Sequence, residues 1–151
     1  MLGLIGCYIL ILNLRKNCRL KVGSLGFLSF KKGYYCYIGS ALGKNISIEK
    51  RVKRHKKIAK EKHGKLRWHI DYLLTYKYTE LLGSMFIPSR SRIECKVSKI
   101  VESLADKVVQ GFGSSDCKLG CKGHLYYFKH KPLRTLTKLL GKHFKLLKVK
   151  S

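Results

Sequence analysis

The chain has 151 residues, with 33 Lys+Arg against 8 Asp+Glu and a net charge of +25. That length suits one domain, and an apolar share of 45% excludes a disordered basic tail. No apolar run approaches the ~20 residues of a membrane-spanning helix. The longest, Leu2 to Leu12, is broken by Gly3 and Gly6 and lacks the flanks of a signal peptide. The expectation is a cytoplasmic domain whose partner is a polyanion. Its six cysteines then sit in a reducing compartment, with Cys7 and Cys36 as buried thiols inside apolar runs.

Leu4 to Leu12 is a near-continuous apolar run, the pattern of a strand buried on both faces. Asn13 to Asn17 is turn-like. Arg19 to Val22 alternates charged and apolar residues as a half-exposed strand does, and Leu25 to Phe30 is a further short strand. Tyr34 to Ile38, bounded by Gly33 and Gly39, is an aromatic strand. After the loop Ser40 to Asn45, Ser47 is the N-cap of a helix reaching about Lys62, with a narrow stripe of Ile48, Val52 and Ala59. Gly64 ends it. Trp68 to Tyr78 reads as a second helix and Leu81 to Ile87 as a strand stopped by Pro88.

Ser91-Arg92-Ile93-Glu94 matches a capping box, Ser91 as N-cap and Glu94 at N3. Ile93, Val97, Ile100, Val101 and Leu104 follow at helical spacing. Val108 to Gly113 is a short strand or turn, and Tyr126 to Phe128 is the last strand. From Lys129 to Ser151 there are eight Lys/Arg and no acid. Leu133, Leu136, Leu139, Leu140, Phe144 and Leu147 give this segment a basic amphipathic helix. Either it docks on the domain (1–128) or it is a separate arm (129–151). The fold class is α+β, a small, mostly antiparallel sheet flanked by helices.

Three constellations bear on function. The first is Gly6-Cys7-Tyr8 and Tyr37-Ile38-Gly39 on strands, Arg51 and His55 four apart on one helix face, and Glu94 at a helix start. An Arg neutralises a scissile phosphate, a carboxylate anchors a divalent ion, and a Tyr or His handles the proton of an attacking water. Taken singly, Tyr8 and Tyr37 also suit core aromatics, Arg51 a solvated helix face and Glu94 a helix cap. Glu80 is a rival metal ligand.

The ordered set GCY, YIG, Arg-x-x-x-His and a helix-borne Glu resembles the GIY-YIG nuclease superfamily. That group includes intron-encoded homing endonucleases and the incision subunit of bacterial excision repair. The stretches Tyr34-Tyr35-Cys36-Tyr37-Ile38-Gly39-Ser40-Ala41-Leu42-Gly43, His69-Ile70-Asp71-Tyr72-Leu73-Leu74, Glu94-Cys95 and Gly111-Phe112-Gly113-Ser114-Ser115-Asp116-Cys117 look like one branch of unassigned function. Some members of that branch are fused to a DNA-repair glycosylase. The resemblance spans about Gly6 to Phe128. It implies Tyr8, Tyr37, Arg51 and His55 as catalytic residues and Glu94 as the ligand of Mg²⁺ or Mn²⁺. The implied activity is endonucleolytic hydrolysis of phosphodiester bonds, directed at distorted or branched DNA in repair, with RNA also open. The distance from Tyr8 to Tyr37 exceeds the family's usual hairpin, which makes Arg15 to Phe30 an insertion.

The second constellation is Cys117, Cys121 and His124. Their C-x₃-C-x₂-H run offers zinc-type ligands, with Cys95 as a fourth if the fold brings it near. The alternative is a loop in which Ser114, Ser115 and Asp116 make turn hydrogen bonds.

The third is charge. Eleven Lys/Arg lie between Lys44 and Arg67, and Lys50, Lys53, Arg54, Lys56, Lys57 and Lys60 are the expected nucleic-acid contacts, in an interface that releases counterions. Tyr34, Tyr35 and Trp68 are candidates to stack on unpaired bases. No small-molecule cofactor is expected. Two other readings stand beside the nuclease. One is a binding module on the same fold that clamps a phosphate without cutting. The other is a membrane-surface protein acting through the amphipathic helix of Leu133 to Lys150.

Overall fold

The computed structural model describes residues 3–114 and 120–149, which form eight strands and four helices. In chain order these are β1 (Gly6–Leu14), β2 (Cys18–Lys21), β3 (Phe27–Phe30), β4 (Gly33–Ala41), α1 (Ile48–Glu61), α2 (His69–Leu74), β5 (Thr79–Pro88), α3 (Glu94–Leu104), β6 (Lys107–Val108), β7 (Leu125–Phe128), α4 (Leu133–Gly141) and β8 (Lys148–Val149). Six strands form one sheet in the order β6-β7-β4-β1-β5-β8, and each neighbouring pair is antiparallel. The other two, β2 and β3, make a separate hairpin. The architecture is α+β, an antiparallel sheet flanked by helices.

The apolar run at the N-terminus becomes the central strand because both its faces are covered. Tyr8, Leu10 and Leu12 point to one face, packed by α1, α2 and the β2–β3 hairpin. Cys7, Ile9 and Ile11 point to the other, packed by α3 and α4. Such a strand has no solvated side to alternate toward, so its sequence reads as unbroken hydrophobicity.

Ser47 caps α1 as the sequence predicts, its Oγ accepting from the Lys50 N–H at 3.1 Å. The helix ends before Gly64, at a left-handed Lys62 (φ 60°). The Lys62 ammonium donates to the carbonyls of Leu74 and Thr79, which ties that helix end to the next elements. Leu25 lies in a 3-10 turn rather than a strand, because Gly26 turns the chain at φ 74° before β3 begins. The second helix is shorter than its periodicity suggests. It stops at Leu74, and Thr79 is already extended to pair with Leu14. The capping box at Ser91 does not form. Ile93 is the N-cap residue of α3 and Glu94 its first helical residue, with no side-chain cap, while Ser91 bonds back to Ser89.

The C-terminal segment docks. Leu136 and Leu140 of α4 are fully buried against α3 and the sheet, and β8 adds to the edge of β5. No helix among the described residues is long and apolar enough to cross a membrane.

Candidate functional site

The fold brings Tyr8, Tyr37, Arg51 and His55 together from three elements. Tyr8 on β1 and Tyr37 on β4 share the sheet face that α1 covers. Glycine is required beside Tyr8. Gly39 is its cross-strand partner, and a Cβ there would lie 2.4 Å from the Tyr8 Cζ. The ring therefore lies flat over Gly39, with its hydroxyl 2.8 Å from His55 Nε2. The Tyr37 ring meets His55 edge-on, centroids 6.2 Å apart, and abuts Gly113, a left-handed turn residue at φ 71°. Arg51, one turn before His55, lays its guanidinium over the Trp68 ring at 4.8 Å and reaches the Tyr8 hydroxyl.

Behind His55 stands a residue that sequence reasoning left out of the site. Asp71 is fully buried in α2, with its carboxylate 4.0 Å from His55 Nδ1. It accepts two hydrogen bonds from Arg54, both 2.9 Å, and two from the N–H groups of Arg67 and Trp68 at 2.8 and 2.9 Å. Burial alone would raise its pKa, but the Arg54 and backbone hydrogen bonds outweigh it and hold it below the usual value. His55 moves the other way from a partnered histidine. Burial, helped by Arg54 and Arg51 against the pull of Asp71, lowers it to about 4. His55 is thus neutral at pH 7. The Tyr8 hydroxyl and His55 Nε2 share one hydrogen bond, with the donor set by the tautomer, while the buried Nδ1 faces Asp71 at 4.0 Å without a hydrogen-bond partner of its own among the described residues. Burial drives both tyrosine hydroxyls upward, with Arg51 opposing.

Glu94 opens α3, half-buried at the end of the sheet. Its charge is felt at Tyr37, Cys7 and His124, so it belongs to the same neighbourhood. The residue after it, Cys95, meets Cys121 and His124, the donor atoms of all three lying within 4.8 Å of one another. This cluster could hold a metal ion. Cys117, expected with it, lies outside the described residues, as do Ser115 and Asp116. Burial pushes the His124 imidazole down, with the Glu94 charge and the bond to the Gly113 carbonyl opposing.

Of the expected nucleic-acid contacts, Lys50, Lys53, Lys56, Lys57 and Lys60 are exposed along α1. Arg54 is different, its guanidinium being held by Asp71 and the Lys65 carbonyl. Lys56 and Lys60 join Arg15, Lys62 and Lys77 around an open basin of about 480 Å³ beside β5. Glu80, the rival metal ligand, lines that basin rather than the tyrosine site. Trp68 is covered by Arg51 and Arg54, and the Tyr34–Tyr35 strand pairs with β7, the Tyr35 hydroxyl bonded to the Lys31 carbonyl.

The fold and site define a basic α+β domain with a tyrosine–histidine–carboxylate cluster at one end of its sheet. Residues 7–145 match the family described as a domain of unknown function, DUF123, and the chain belongs to that family. No curated protein and no solved structure matches it.

Proposed function

We propose that the protein is a GIY-YIG-type endonuclease that hydrolyses phosphodiester bonds in DNA with a divalent metal, acting in repair or processing of distorted or branched substrates. The observation that carries this reading is the convergence of Tyr8, Tyr37, Arg51 and His55, with Tyr8 and His55 joined at 2.8 Å. Arg51 neutralises the charge that develops on the scissile phosphate. Tyr8 accepts a proton from the attacking water as it passes its own to His55 Nε2, and the Asp71 carboxylate stabilises the resulting imidazolium. Tyr37 orients the water. Glu94 suits Mg²⁺ or Mn²⁺, since these ions need only one or two protein carboxylates with water completing the shell; such an ion would lower the pKa of the water and polarise the phosphate. The cluster of Cys95, Cys121 and His124 suits a softer ion, Zn²⁺, in a structural role. The exposed lysines of α1 supply sequence-independent attraction to the backbone.

A second reading has one observation in its favour. Tyr8 and Tyr37 are only 1% and 8% exposed, as packing residues are. On that reading the domain binds nucleic acid without cutting it. The test is a cleavage assay with Mg²⁺ or Mn²⁺ on duplex, single-stranded, nicked, flapped and four-way-junction DNA, beside Arg51→Ala and Glu94→Ala. The nuclease reading expects cutting by the wild type, reduced at least ~100-fold in Arg51→Ala and abolished in Glu94→Ala, with binding retained in both. Tight, salt-sensitive binding with no cutting of any substrate supports the binding module. Cutting that survives both substitutions refutes the assigned site.

A further inference from the structure

We infer that Cys95, Cys121 and His124 form a zinc centre whose occupation fixes Glu94 in place. The inference rests on the proposed role of Glu94 in binding a catalytic metal. The three donors come from three parts of the chain: the first turn of α3, the segment after residue 119, and the residue before β7. Their donor atoms lie within 4.8 Å of one another. A tetrahedral Zn²⁺ bound by thiolate and imidazole sets such atoms about 3.5–3.8 Å apart, so small side-chain rotations close the site. Two thiols and an imidazole are soft donors that select Zn²⁺ over Mg²⁺ or Ca²⁺.

An independent observation comes from His124. Its side chain is buried and its Nε2 has no hydrogen-bond partner. Its other ring nitrogen is bonded to the backbone of Gly113. A buried, unbonded imidazole nitrogen costs stability. With Nδ1–H donated to a carbonyl, Nε2 presents its lone pair, which is the arrangement of a metal-binding histidine with its supporting acceptor.

The positioning role follows from what each ligand is attached to. Cys95 is the residue after Glu94, so a bond at its sulfur holds the first turn of α3. His124 is anchored by the backbone: its N–H donates to Phe112 at 2.7 Å and its carbonyl accepts from Ile38 at 2.9 Å. Phe112 and Gly113 pack against Tyr37, and the Gly113 N–H donates to His69 Nδ1 at 2.8 Å. Zinc therefore bonds the helix that carries Glu94 to the strand that carries Tyr37. In its absence α3 has no side-chain cap at its N-terminus, and Glu94 is less constrained.

The test uses the full chain purified without chelator. Elemental analysis is expected to find about one Zn²⁺ per chain, and Co²⁺ exchanged into it to give thiolate-to-cobalt charge-transfer absorption. Both signals are lost in Cys95→Ser. Cys121→His retains a zinc donor and keeps the metal, so that misfolding of Cys95→Ser would not decide the matter alone. Mn²⁺ binding, read by electron paramagnetic resonance, is expected to weaken at least ~10-fold when Zn²⁺ is stripped. In Glu94→Ala it is lost while zinc content stays unchanged. A wild type without zinc or cobalt–thiolate absorption overturns the inference, and so does Mn²⁺ affinity indifferent to zinc. Failure of the nuclease reading alone would leave zinc content and cobalt–thiolate absorption intact, and would show as absent cleavage together with Mn²⁺ binding that is absent in the wild type as in Glu94→Ala.

Discussion

The two faces of the sheet share the same central strand and solve different problems. The face of Cys7, Ile9 and Ile11 is closed by Val97 and Val101 of α3 and Leu136 and Leu140 of α4, with Ser98 buried on the same helix as the valines and the Cys95–Cys121–His124 cluster at that helix's first turn. The face of Tyr8, Leu10 and Leu12 is apolar along most of its length, but at one end it encloses His55 and Asp71 with neither side chain exposed. A buried imidazole and a buried carboxylate cost stability unless hydrogen-bonded, and apolar replacements often do better. The contrast teaches that the α4 side of the sheet is held by apolar packing, while the α1–α2 side encloses a fully buried His–Asp pair that cohesion does not require.

The largest effect expected from breaking this contrast is at Asp71. Its removal leaves the Arg54 guanidinium and the N–H groups of Arg67 and Trp68 without their shared acceptor. Asp71→Ala should destabilise by about 4 kcal/mol, measured by urea unfolding. On the other face, Leu136→Ala opens a cavity and should cost about 3 kcal/mol. The two variants separate at the site: the folded fraction of Leu136→Ala keeps its Tyr8–His55 environment, seen in the histidine ring NMR signals, and that of Asp71→Ala does not.

The pH dependence sharpens the same point. His55 has a folded pKa of about 4 against an ordinary 6.5. Between these values the unfolded chain binds the proton and the folded chain does not. Stability is therefore full above pH ~6.5 and falls as pH drops toward ~4, by about 3 kcal/mol. Asp71, held below its usual value, adds a loss at still lower pH, where its folded form takes up a proton. His55→Asn should flatten the profile between pH 6.5 and 4, and an unchanged slope there would mean that His55 is not the titrating group.

Much of this was legible in the chain. The unbroken run at β1, the aromatic strand β4, the Ser47 cap and the spacing along α3 all express local pattern. What was not legible depended on tertiary pairing. The shortening of α2 follows from β5 claiming Thr79, and the capping box at Ser91 lost to local Ser89–Ser91 bonds. Docking of α4 was one of two open alternatives. Asp71 carried a signal in sequence, as the only acid between Glu61 and Glu80 in a strongly basic stretch. Its significance lay in Arg54, which looked like one more cation for nucleic acid and is instead its bidentate partner.

Tyr8→Phe offers the most direct test of whether the polar cluster serves chemistry. The substitution keeps the ring over Gly39 and removes only the hydroxyl bonded to His55. Measured by single-turnover cleavage of the best substrate from the DNA panel, the variant should stay folded, bind with unchanged affinity and cut at least ~100-fold more slowly. Cutting at the wild-type rate would contradict the account and return Tyr8 to the packing of the core.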